Sequence, residues 1–161
     1  MDSSQAPKRM MLLSLIAAGL GLASGGAAWI LLHLIAAITN LAVFGRFGFH
    51  PPSFSTLAPS PRIVIVAVVG ALIISCLAKW APVIRGHGIP EAMEAVLTKE
   101  SRIAPRTAIA KPISAAVAIG SSAPFGAEGP IIVTGGAIGS LTGQLLRVSP
   151  SERKILLACG A

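Results

Sequence analysis

The chain contains no tyrosine, and aromatic residues fill only 4% of its 161 positions. Its basic residues do not cluster with those few aromatics, which argues against a nucleic-acid-binding surface. Charge is scarce too, at 12%, and only six residues are acidic. So little charge cannot solvate the exterior of a soluble domain, whereas 53% hydrophobic residues and a mean hydropathy of +0.78 suit a polytopic membrane protein. The two cysteines, Cys76 and Cys159, both lie in apolar segments. That excludes a disulfide framework and leads us to expect buried, inert thiols. His33 and His50 have no partner at metal-ligand spacing, and no metal, nucleotide or organic cofactor is implied.

What is present is a series of apolar runs separated by short basic segments, the distribution expected when cytoplasmic loops retain Lys and Arg. Residues 1–9 are polar, end in Lys8-Arg9, and read as a cytoplasmic N-terminus. Residues 10–44 exceed the ~20 needed to cross a ~30 Å hydrocarbon core, so one long, tilted, retained span is expected there. The loop 45–61 carries prolines at 51, 52, 59 and 61 and reads as external. Further membrane helices are expected at 62–80, 107–122 and 129–146, with Pro112 opening the apolar part of the third. A short half helix is expected at 90–98, and 155–161 reads as the start of a truncated helix. The most basic connection holds Lys79, Arg85, Lys99, Arg102, Arg106 and Lys111 and is assigned to the cytoplasmic side. Small residues recur every fourth position at Ala17, Gly21 and Gly25, and again at Gly135, Gly139 and Gly143. Each set offers a face for close helix packing.

Two segments break the apolar pattern with a shared grammar of glycine, proline and an acid. The first is Gly86-His87-Gly88-Ile89-Pro90-Glu91; the second is Gly126-Ala127-Glu128-Gly129-Pro130. Glycine frees the backbone and proline suits a first helical turn, so both read as helix starts. The unpaired N–H groups of such starts, together with the positive end of the helix dipole, form sites for anions. The stretches 112–125 and 131–146 are uncharged, so Glu128 stands alone in apolar surroundings where a carboxylate is costly and usually functional. A carboxylate beside an anion site suggests a gate. Capping of its own helix is the plainer alternative. Capping is the preferred reading for Glu91 and Glu94.

With these paired motifs, the chain resembles the CLC family of voltage-gated chloride channels and proton/chloride exchangers. Gly86, Gly88, Ile89 and Pro90 carry the first match, and Gly126, Glu128, Gly129 and Pro130 the second. Lys111 resembles the family's lysine on the preceding helix, and 156–161 resembles the family's next helix start. The resemblance implies an all-α membrane fold of two inverted repeats with broken half helices, of which this chain would be an N-terminal part. It further implies a homodimer that moves chloride and, in exchangers, protons, with no enzymatic activity and lipid as its surroundings. A bacterial inner membrane is the expected location. In this reading 86–90 form the central anion site, while Gly126, Ala127, Glu128 and Gly129 frame the outer one. Glu128 occupies the outer site as a carboxylate and leaves it on protonation. Two departures are visible. His87 stands where the family usually has serine, and Ala127 stands where it usually has a basic residue. Lys111 is open to two readings, a fixed charge favouring anions or an interfacial lysine snorkelling outward.

Three other classes fit the residues less well. Gly120-Ser121-Ser122-Ala123 with His33 as a base loosely resembles a serine hydrolase, without an evident oxyanion arrangement. A cation-coupled transporter using Glu128 as a ligand is the stronger rival, but two converging helix N-termini disfavour a cation. A membrane fragment without transport activity is the third.

Overall fold

The computed structural model describes residues 6–56, 60–86 and 88–161, and these residues form six α-helices. They are α1 (Ala6–Thr39), α2 (Pro61–Trp80), α3 (Ile89–Thr98), α4 (Pro105–Gly120), α5 (Glu128–Leu145) and α6 (Pro150–Gly160). Among the described residues, two helical stretches are long and apolar enough to cross a bilayer, Arg9–Phe44 and Pro61–Trp80. The first, of 36 residues, is about 54 Å long at 1.5 Å per residue, well beyond a ~30 Å core, so it must tilt or protrude. Neither α4, of 16 residues, nor the glycine-rich α5 meets that test.

Helix α1 packs along α4, α5 and α6, whereas α2 leans chiefly on α4. The α2–α4 crossing is set by Gly70, whose bare Cα faces Ser121 and leaves no room for a Cβ. Otherwise α2 turns most of its side chains outward, as an apolar helix does when lipid or another helix is its neighbour. The tightest contact joins α5 to α6. Gly135, Gly139 and Gly143 form its seam, facing Gly160, Leu156 and Arg153 in turn. The matching set on α1 is different: nothing lies within 4 Å of a Cβ built on Gly21 or Gly25.

Several elements depart from the sequence reading. Helix α4 begins at Pro105, not at 107, and Pro112 lies inside it. Ala104 is extended (φ −68°, ψ 141°), which is the conformation a following proline enforces, and Pro105 then takes the first helical position. Pro112 costs α4 the bond to the Ala108 carbonyl without ending the helix. The two thiols expected to be buried are both free and exposed, because Cys76 and Cys159 lie on outward faces of α2 and α6.

Polar side chains hold the ends of the helices. Asn40, 2% exposed, closes a π-helical turn after α1. Its amide donates to the Gly48 (3.0 Å) and His50 (2.8 Å) carbonyls, and its carbonyl accepts from Arg46 Nε at 3.1 Å. The connection between α3 and α4 is fastened to α5 by Ser140, which donates to the Ser101 carbonyl (2.6 Å) and accepts from Ile103 N–H (2.9 Å). Gln144 adds a bond to the Ile103 carbonyl at 3.1 Å. Buried Arg153 reaches across to the Glu100 carbonyl at 3.1 Å.

Candidate functional site

The start of α3 is built by two glycines in left-handed conformations, Gly86 at φ +97° and Gly88 at φ +91°. Side chains rarely adopt these angles, which is the physical reason for glycine at both positions. Glu91 folds back over the turn, and its Oε2 accepts the Gly88 N–H at 2.7 Å. Its other oxygen, Oε1, abuts Gly86. The capping role read for Glu91 is therefore present. First-turn amides at Ile89 and Glu91 have no preceding helical carbonyl to bond.

The start of α5 differs in kind. Ala127 precedes the helix and supplies no side-chain cap, and Pro130 has no N–H to offer. This leaves the first-turn amides of Glu128 and Gly129 as donors without helical partners. The Glu128 side chain is exposed at this end of the helix. Here the residue expected to be dehydrated is, in the single chain, open to its surroundings.

The two starts meet. A Cβ placed on Gly88 would lie 2.5 Å from Val133 Cγ2 and 3.4 Å from the Gly129 carbonyl oxygen, so α3 approaches the first turns of α5 at van der Waals distance. Between them and α4 lies a cavity of about 540 Å³. Gly86 and Ile89 line it from one motif, and Gly126, Glu128, Gly129 and Pro130 from the other. Ala127 is half-buried beside it. His87 lies outside the described residues.

Lys111 lines the same cavity and is only 4% exposed. It does not snorkel. Its Nζ donates to the Gly86 carbonyl at 3.0 Å and reaches the Ile84 and Arg85 carbonyls at 3.4 and 3.5 Å. Glu91 Oε1 stands 3.7 Å away. A helical lysine followed by proline leaves both directions open in the sequence, toward anions or outward to the interface. What could have signalled it is the need of three loop carbonyls for a donor in an apolar setting.

The hydrolase rival finds no matching arrangement. Ser121 Oγ donates to the Ala118 carbonyl at 3.0 Å, and His33 Nδ1 lies 2.8 Å from the Trp29 carbonyl. Neither is engaged as a nucleophile with its base.

Known proteins resemble part of this chain in sequence. A chloride channel protein of Ralstonia nicotianae, described as ClcB-like, is 32% identical over 87 residues, covering 52% of this chain and 20% of the relative. The chain thus spans about a fifth of the length of that curated relative. No solved structure matches it. The profile of the voltage-gated chloride channel family matches residues 69–161, which include both glycine-proline motifs, Lys111 and the whole cavity-lining part of α4 and α5. The chain is an integral membrane protein that belongs to the voltage-gated chloride channel family, a family of ion-conducting proteins and not of enzymes.

Proposed function

We propose that this chain contributes part of an anion pathway in a chloride-transporting protein, with the anion held between the starts of α3 and α5. The observation that supports this reading is the shared cavity, lined by Ile89 from the first turn of α3 and by Glu128, Gly129 and Pro130 from the first turn of α5. An anion there would exchange its water for N–H groups at two positive helix ends, each worth about half an elementary charge. Gly86, His87, Gly88, Ile89 and Pro90 would make the central site, and Gly126, Ala127, Glu128 and Gly129 the outer one. Glu128 would act as the gate, its carboxylate competing with the anion for the Glu128–Gly129 turn and yielding on protonation. The same proton could be carried onward in an exchanger.

In this proposal α4 and α5 lie within the bilayer, sheltered by α1, α2 and further helices. The set forms part of the first of two inverted repeats, in a homodimer of the bacterial inner membrane. A cation-coupled mechanism is disfavoured because helix N-termini carry partial positive charge, which repels a cation.

The test is chloride efflux from liposomes holding the full-length gene product. Chloride-selective efflux is expected; vesicles that retain chloride like protein-free controls would end the reading. A chloride gradient that drives protons uphill identifies an exchanger, and one that does not identifies a channel.

A further inference from the structure

Lys111 of the cavity wall pairs with the Glu91 carboxylate, and gating by Glu128 leaves this pair unused. Lys111 and Glu91 come from different helices and meet behind the Gly86–Gly88 turn, with Nζ and Oε1 separated by 3.7 Å. An ammonium has three donors and no acceptor. Those of Lys111 face the carbonyls of Ile84, Arg85 and Gly86, so they are directed at the turn and not at the cavity. Glu91 passes the connection on, because its second oxygen holds Gly88 N–H at 2.7 Å. Ammonium, carboxylate and amide form one chain that ends at the start of α3.

We propose that Lys111 is a positioning residue and not an anion ligand. Its charge is matched by Glu91 and by three carbonyl dipoles, so an anion in the cavity meets a neutral wall. The pair also holds Gly86 and Gly88 in the left-handed turn that α3 requires. This inference rests on the anion-transport reading for its effect on flux, but not for its effect on the turn.

The pair predicts opposite signs for its two halves. Lys111→Met leaves the Glu91 carboxylate and the Ile84, Arg85 and Gly86 carbonyls next to the cavity wall without a counter-charge, so anion binding weakens. Glu91→Gln keeps an oxygen for Gly88 N–H but removes the negative charge, so the ammonium is unmatched and anion binding tightens. Combining the two restores a neutral wall. A lysine that served only to hold the fold would give the double variant at least the defect of Lys111→Met.

The experiment measures flux against chloride concentration for the full-length protein in liposomes. Lys111→Met is expected to raise half-saturating chloride at least about tenfold, equivalent to about 1.4 kcal/mol of anion affinity. Lys111→Arg should return most of the loss, Glu91→Gln should lower half-saturation, and the double variant should return toward wild type. A double variant as impaired as Lys111→Met, or a Glu91→Gln variant with unchanged or weaker binding, overturns the proposal. Glu91→Gln supplies the answer even where Lys111→Met does not fold.

Hydrogen exchange of the detergent-solubilised protein tests the turn independently. Lys111→Met should speed exchange at the amides of 84–91, and wild-type protection there would overturn the clamp. Wild-type protein that moves no anion would sink the transport reading alone, with exchange at the turn still deciding the role of Lys111.

Discussion

Gly139 of α5 and Leu156 of α6 meet backbone against backbone. A Cβ built on Gly139 would stand 2.8 Å from the Leu156 carbonyl carbon and 3.0 Å from the Leu157 Cα, with no flexible side chain to give way. Gly160 answers from α6, where a Cβ would lie 3.2 Å from the Gly139 nitrogen. The glycines thus fix how closely α6 lies on α5, and with it the frame behind the cavity.

Gly139→Val should therefore separate α5 from α6. Overpacking against backbone is expected to cost about 1–3 kcal/mol or more. Thermal unfolding in detergent, followed by tryptophan fluorescence, should show a midpoint several degrees lower. A variant with an unchanged midpoint would show that the helices do not meet at this seam.

Gly88 and Gly21 should respond oppositely to alanine. Gly88 is held at φ +91° with its Cα facing Val133, so alanine there meets both backbone strain and a clash. The strain alone is of order 1–3 kcal/mol. Gly21 lies inside α1 with nothing within 4 Å, and alanine there should stabilise by about 0.5–1 kcal/mol through helix propensity. The same midpoint measurement separates the two. A loss at Gly21 as large as at Gly88 would mean that another helix covers that face of α1.

An acid-sensitive latch joins the two ends of the chain. Arg9 Nη2 donates to Glu152 Oε2 at 2.9 Å, and Ser149 N–H and Oγ donate to the same carboxylate at 3.0 and 2.8 Å. The hydrogen bond from Arg9 and then those from Ser149 hold the Glu152 carboxyl down at about 2, from an ordinary 4.5. A depressed value stabilises the folded form above pH 4.5, and that contribution fades as the pH falls from 4.5 toward 2. Glu152→Gln should flatten the acid limb of a stability-against-pH curve in this window. An acid limb identical to wild type would show the latch to be unformed.

Much of this fold can be read from residue grammar, because helix starts need particular residues. Glycine and proline announce α3 and α5 at Gly88-Ile89-Pro90 and Gly129-Pro130, and the start of α6 was equally legible. Ser149-Pro150-Ser151-Glu152 is a capping box with proline at the first helical position, so α6 begins at Pro150 and not at the expected 155. Partners are harder to read than starts. Identical four-residue spacing marks Gly135-Gly139-Gly143 and Ala17-Gly21-Gly25, but only the first meets a helix among the described residues. Spacing shows that a helix can be approached closely; it carries no information on what approaches. Direction is hardest. Lys111 turns inward because carbonyls near it in space, not in sequence, lack donors, and Cys76 turns outward because α2 has few neighbours. For the same reason nothing local announced Ser140 or Arg153, whose partners lie dozens of positions away in the chain.

Ser140 gives the sharpest test of those long-range bonds. It is fully buried, donates to the Ser101 carbonyl at 2.6 Å and accepts from Ile103 N–H at 2.9 Å. Ser140→Ala removes both partners at once and leaves a donor and an acceptor of the α3–α4 connection without water to replace them. Each unsatisfied buried group costs about 1–3 kcal/mol, so the loss should exceed that of a surface serine severalfold. Ser140→Cys nearly preserves the volume but offers a weak donor and acceptor, and should fall between alanine and wild type. The connection 99–104 leads directly into α4, which carries Lys111 to the cavity. Looser anchoring should therefore appear as faster hydrogen exchange at Ser101 and Ile103 before any global unfolding. Unchanged exchange at those two amides in Ser140→Ala would show that the connection is held by packing of Ile103, not by the hydroxyl.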